Sequence, residues 1–254
     1  MPTMTQDPTQ ATEPAADAYV TTHDPLFFVM LVFFAMLTTA LPGMIGQPRL
    51  LPAIQAIALT VFMAMAVRRG EMSRALVIVA IWTSVQYLTL VGLTWLAVNQ
   101  VEHAMVDGFK YRGAVQAWFY GGGEHPGGWQ TEPLRHLVEL AGILLGSLVT
   151  GGLVGAWFLV SAVDLAAYAT GSLLITAQQP LAVVAMVPWG TLLRLAGYAT
   201  LIVVLSEPLL TRNWSLRDLL AQRGRLLLAA GLFTVLGIAA ELVLADALRS
   251  LFVG

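Results

Sequence analysis

The chain has 254 residues, of which 57% are hydrophobic and 11% charged, with a net charge of −2 and no cysteine. Ordinary soluble domains carry roughly 25% charged residues, so this composition, with a mean hydropathy of +0.75, excludes a water-soluble globule. The charge balance offers no basic stripe for nucleic acid, and the lack of cysteine excludes disulfides, iron–sulfur clusters and thiolate metal sites.

Residues 1–25 are rich in Thr, Pro, Ala and Asp and carry no Lys or Arg. They hold too little apolar surface to offset the entropy of ordering, so a disordered N-terminal tail is expected. The positive start and small-residue cleavage pattern of a signal peptide are both missing, so the first helix is expected to stay in the mature chain. Segment 26–98 then carries three apolar runs. Leu26 to Leu41 ends at Pro42 and Gly43, Leu51 to Val67 is entered through Pro48 and Pro52, and Ala75 to Val98 has Trp82 and Trp95 as interfacial anchors. A bilayer takes about 20 residues of helix, so the first two runs are slightly short and the third is comfortable. Arg68, Arg69 and Arg74 make the first dense basic cluster.

Segment 99–133 is the one long hydrophilic stretch after the tail, and it holds Lys110, the sole lysine. A lysine in a polar loop cannot form a retinal Schiff base among the helices. Trp118, Phe119 and Tyr120 precede GGGEHPGGW, whose glycines and proline call for turn rather than helix. A hydrated loop that meets partners through these aromatics and Trp129 is expected.

Segment 134–254 begins with a run from Leu134 to Thr176 that is too long for one crossing, so it should fold back as a hairpin with its turn at Gly151, Gly152 and Gly155. Gly142, Gly146 and Thr150 repeat every four residues, as do Ser147, Gly151 and Gly155. Such small-residue ridges let helices approach closely in lipid and place this hairpin inside the bundle. Gln178, Gln179 and Pro180 break it from a sixth span, Val183 to Leu205, and Leu226 to Asp246 is the last. Between them, 211–225 reads as a basic amphipathic surface helix with a Ser215 and Asp218 capping box.

The fold class expected is therefore all-α: a polytopic transmembrane bundle of seven spans. A six-span count, with 134–176 as one long helix plus a re-entrant piece, would put the arginine clusters at 68–74 and 212–225 on opposite sides. Cytoplasmic loops collect Lys and Arg, so seven spans put both clusters and the N-terminus in the cytoplasm, with 99–133 outside.

Ionisable residues inside spans cost roughly 3 kcal/mol or more, so each is a functional candidate. Here they are Asp164, Arg194, Glu139 and Glu241, with Gln55 and Gln86 as neutral companions. A pair between Asp164 and Arg194 is the cheapest way to hold either in lipid, and it serves either an ion path or helix register. Glu139 and Glu241 fall near span ends and are expected to reach interfacial water. His103, His125 and His136 each have a glutamate nearby, Glu102, Glu124 and Glu139, a chemistry that suits a metal, but their spacing fits no ligand motif and no metal or other cofactor is assigned. No phosphate loop, zinc helix, nucleophile elbow or CxxC pair occurs, so no catalytic residue is assigned.

The second half, about 134–246, resembles the stage II sporulation protein M-like family of bacterial membrane proteins. The likeness lies in the order of a glycine-rich helix (LRHLVELAGILLGSLVTGGL), a span closed by VDLAAYATG, the Pro188, Trp189, Gly190 entry, the basic stretch WSLRDLLAQRGR, and a last span with Glu241. The family's entry is typically Pro-His-Gly with a glutamate soon after; Trp189 and Leu193 stand at those places here. The resemblance implies a non-enzymatic scaffold or accessory subunit of a bacterial inner-membrane complex, in contact with lipid and other membrane proteins. A transporter or permease subunit for a small solute or ion is the alternative, and a metal-dependent membrane enzyme ranks below it.

Overall fold

The computed structural model describes residues 21–176, 187 and 189–253; the tail residues 1–20, the Gln178 to Pro180 break and the expected sixth-span start at Val183 lie outside that set. Among the described residues the chain is all-helical. Its helices are α1 Pro25–Ile45, α2 Leu50–Val67, α3 Met72–Ala104, α4 Gly108–Gly121, α5 Pro133–Thr150, α6 Leu153–Thr176, α7 Trp189–Thr211 and α8 Leu216–Val253. All but α4 are long and apolar enough to cross a membrane, which makes seven candidate spans. This is a multi-pass membrane protein.

Local chemistry explains where the helices start and stop. At α1, Pro25 fills the first helical position and the Asp24 carboxylate accepts from the Leu26 N–H at 2.8 Å, which satisfies one orphan donor. The helix closes at Gly46, whose φ of 74° only glycine adopts without strain. α3 kinks at Ala97 (φ −145°), next to the expected span end at Val98, and then continues to Ala104. α5 contains a π-helical stretch, Gly142–Gly146, and the turn after it uses Gly151 and Gly152 at φ 62° and 96°. The hairpin turn thus lies at two of the three glycines expected to make it.

The hairpin's small residues act mainly between its own arms. A Cβ on Gly142 would overlap the Phe158 ring, one on Gly146 the Val154 side chain, and one on Gly155 Ser147 Oγ. Only the second arm sits centrally: α6 has 61% of its span buried, whereas α5 has 22%. The first arm's remaining face is apolar and open, as lipid contact requires.

The two ends of the bundle differ. At the basic end, Thr22 Oγ1 donates to Glu71 at 2.8 Å and Arg74 donates to the Thr22 carbonyl at 2.5 Å, so the buried Thr22 ties the end of the expected disordered tail to α3 and the turn before it. Arg68, Gly151 and Arg212 come together at this same end. The expected surface helix at 211–225 is instead the start of α8, which runs unbroken into the last span. Ser215 Oγ accepts from the Asp218 N–H at 3.2 Å, and Arg223 grips Glu207 with two hydrogen bonds of 3.0 and 2.9 Å. With its cap satisfied and its arginine tied to α7, the segment has no reason to lie flat.

At the opposite, loop end, α4 covers the ends of α3 and α6. Tyr111 stacks on Tyr168, whose hydroxyl donates to Glu102 at 3.2 Å, and Arg112 pairs with Glu102 at 3.0 Å. Trp118 and Phe119 are buried against Leu173. Of the aromatic patch expected to meet partners, Trp118 and Phe119 are therefore turned onto their own bundle, while Tyr120 stays 46% exposed. Trp82, expected at the interface, is fully buried in the main core beside Phe62, while Trp95 is 62% exposed.

Candidate functional site

The site starts with backbone contact between α7 and α8. A Cβ on Gly190 would lie 2.5 Å from the Glu241 nitrogen, and one on Gly237 would lie 2.5 Å from the Arg194 nitrogen. Gly197 is equally closed, against Thr234 and the Ala230 carbonyl. Three glycines thus let two helices touch backbone to backbone, as small residues do in lipid. Arg194 lies four residues after Gly190 and Glu241 four after Gly237, so both project from the contact faces.

The resulting ion pair is Arg194 Nη1 to Glu241 Oε2 at 3.3 Å, with side chains only 4% and 5% exposed. α5 adds His136 and Glu139. His136 Nδ1 lies 3.2 Å from Glu139 Oε2 and 3.2 Å from Arg194 Nη1, and its Nε2 lies 2.8 Å from the Gly127 carbonyl. A carbonyl oxygen only accepts, so Nε2 carries hydrogen. Trp129 stacks on the imidazole at 4.9 Å and 14°, so the glycine-rich loop before α5 fixes this ring. Tyr198 lies under the guanidinium at 5.9 Å.

Charge counting constrains the cluster. Arg194 supplies one positive charge and the two glutamates supply two negative ones, so neutrality needs one further proton among His136, Glu139 and Glu241. Arg194 Nε, Glu139 Oε1, Glu241 Oε1 and the Tyr198 hydroxyl are buried without a hydrogen-bond partner. Arg194, His136, Glu139 and Glu241 line a cavity of about 90 Å³ together with Trp118 and Trp189. One water needs roughly 10–15 Å³ of such space, so several waters or a small solute fit.

A second polar group lies deeper. Asp164, on α6, receives Gln86 Nε2 at 2.8 Å and Gln55 Nε2 at 3.2 Å, both on Oδ1. All three side chains are buried. Asp164 lines a larger vestibule of about 490 Å³ with Pro48, Asp107, Lys110, Glu132 and Arg135. Tyr111, Pro126, Arg135 and Leu165 border both cavities, so the two adjoin. Burial pushes the Tyr111 phenol up to about 12, so this wall residue stays neutral.

The structure corrects three expectations. Asp164 and Arg194 do not pair: Arg194 faces α8 and α5, and Asp164 is held by neutral amides from α2 and α3. Glu139 and Glu241 do not reach interfacial water; both are buried in the cluster. His125 and His136 line the same cavity, but His103 lies apart and bonds the Asn99 carbonyl at 2.6 Å, and no three His, Asp or Glu side chains converge on a metal-sized point among the described residues. Gln55 and Gln86 are indeed companions of the buried carboxylate. His136, expected beside the loop with Glu139 nearby, is the member that sequence reading did not join to Arg194 and Glu241; its i,i+3 spacing to Glu139 at the head of an apolar run was the available signal.

Below Asp164, toward the basic end, Leu59, Met63, Trp82, Leu159, Val160 and Ile202 are at most 1% exposed and close the bundle with apolar packing. The two adjoining polar cavities thus lie over an apolar plug, with a separate pocket lined by Arg68, Thr150 and Arg212 on its other side at the basic end. No protein-family model, curated protein or solved structure matches the chain.

Proposed function

We propose that the protein is a transporter or permease subunit for a small polar solute, seen in the state open at its loop end. One observation carries this: buried ionisable side chains from four helices, α5, α6, α7 and α8, line adjoining cavities above a closed apolar half. Intramembrane charges that line a water-accessible cavity mark solute or ion paths, and alternating access needs one half closed while the other is open. The arginine clusters at 68–74 and 212–225 support a cytoplasmic basic end, since cytoplasmic loops collect Lys and Arg, and with it a vestibule that faces outside. The scaffold reading, which rests on the resemblance to the sporulation protein M-like family, keeps only part of its expected outer contact surface: Trp118 and Phe119 are buried, while Tyr120 is 46% exposed.

The test is a thermal-shift screen of the detergent-purified protein against amines, amino acids, carboxylates and sugars, repeated on Glu241→Gln. Stabilisation by one class that the variant loses supports transport. Overturning it takes no stabilisation by any class together with stable protein partners that co-purify from native membranes, which would favour the scaffold.

A further inference from the structure

The hydrogen-bond directions around Asp164 can be read without ambiguity. Gln86 Nε2 faces the Val160 carbonyl at 2.9 Å, and a carbonyl cannot donate, so that atom is the amide nitrogen. Its second N–H goes to Asp164 Oδ1. Thr39 spends its hydroxyl hydrogen on the Ala35 carbonyl at 2.8 Å, so its oxygen accepts from Gln55 at 3.0 Å, which fixes that amide as well. Both amides therefore point N–H groups at the same carboxylate oxygen. Asp164 Oδ2 is left buried and without a hydrogen-bond partner, and Asp164 enters no ion pair among the described residues.

An unneutralised charge at this depth costs several kcal/mol, so one positive charge must accompany the carboxylate when it is closed off from water. A sodium ion fits badly. It seeks several oxygens, and both amides present nitrogen rather than oxygen to Asp164 Oδ1. A proton needs only Oδ2.

We propose that Asp164 is a proton-exchange site, taking one proton on Oδ2 from the vestibule and returning it there, while Gln55 and Gln86 hold Oδ1 in both states. On release the O–H bond breaks, its electron pair stays on the carboxylate, and the proton passes to a vestibule water. The charged and titratable groups facing this space are Asp107, with Lys110 and Tyr111 of α4, and Glu132 and Arg135 at the entry to α5; α2 and α3 present the neutral glutamines. Arg194 is engaged by Glu241 and His136. Proton coupling of solute movement rests on the transport reading, but exchange at Asp164 does not.

The experiment is infrared difference spectroscopy on the full chain in lipid nanodiscs, titrated from about pH 4 to about pH 9, which starts near the ordinary aspartate value of about 3.9. Expected is a protonated-carboxyl C=O band that is lost reversibly on alkalinisation, absent from Asp164→Asn and kept in Glu139→Gln. A wild-type spectrum with no titrating band overturns the proposal, and so does a band that Asp164→Asn leaves in place. A midpoint that moves about one pH unit per tenfold change in sodium also overturns it, because mass action would then show a metal cation competing for the site. A titrating Asp164 band in a protein that no solute stabilises and that co-purifies with stable protein partners would uphold the proton site and remove the transport reading.

Discussion

Arg194→Met should destabilise the protein far more than Glu241→Gln, and the double variant should recover part of the loss. The charge count gives the reason. Without Arg194, two buried carboxylates face one imidazole, and one negative charge has no partner. Breaking a buried pair in this way costs about 3–5 kcal/mol, in line with the attraction of about 5 kcal/mol between unit charges at the observed 3.3 Å separation and an effective dielectric constant of about 20. Without Glu241, the Arg194 and Glu139 charges still balance, so no unpaired charge is left and the loss should fall below that range. The double variant removes one charge of each sign, so it buries no more net charge than the wild type. Unfolding of all four proteins in one detergent, followed by helical circular dichroism, measures the cycle. If Arg194→Met/Glu241→Gln is less stable than Arg194→Met alone, the two residues are not charged against each other and the cluster has been misread.

Three further outcomes are expected. Gly237→Leu should abolish the folded state, because its side chain would meet Arg194 backbone, whereas Gly231→Leu, with nothing within 4 Å of its Cβ, should stay within about 0.5 kcal/mol of wild type; detergent-extracted monodisperse yield separates them. Around Glu71, burial raises the carboxyl, but the Thr22 hydrogen bond and the His23 and Arg74 contacts more than offset it, and the group sits below its ordinary value of 4.5. A lowered folded-state value means stabilisation present above the unfolded value and lost as pH falls through the folded one; Glu71→Gln should flatten only that acid limb of the melting temperature, and an unchanged limb would refute the contact. Because the chain has no cysteine, Lys110→Cys should react in intact cells with an impermeant maleimide and Arg212→Cys only after lysis; the reverse pattern inverts the topology.

The spans were legible because the bilayer imposes their length and allows few charges, and these constraints act on each segment alone. The Gly151 and Gly152 turn and the Ser215 cap were legible for the same local reason. Pairing between helices was not, since it depends on which faces meet. Hydropathy cannot distinguish Trp82 in the core from Trp95 in lipid, and it joined Asp164 to Arg194 because their spans are neighbours in sequence. The corrective signal was present in the glycines: Gly190 and Gly197 bracket Arg194 on one face of α7, and Gly237 precedes Glu241 by one turn of α8. α4 was missed because a short polar stretch between glycines has no apolar periodicity; contacts with Tyr168 and Leu173 hold it in place.

Depth orders the polar residues as well. His136 and Glu139 sit near the head of α5, Arg194 five residues into α7, and Asp164 midway along α6, so the buried ionisable groups run from the loop end to mid-depth. In the closed half the buried polar side chains are hydroxyls such as Ser206, which bonds its own helix at the Val203 carbonyl. A scaffold needs charges only where they fix helix register, and one pair between α7 and α8 would do that. Two groups at two depths, each with unbonded atoms and each lining a cavity, go beyond that need. The polarity runs from the loop end inward and stops at the apolar plug, so on the transport reading a solute that crosses would need the helices to move in the closed half, where Gly152 lies against Met63 and Ser206.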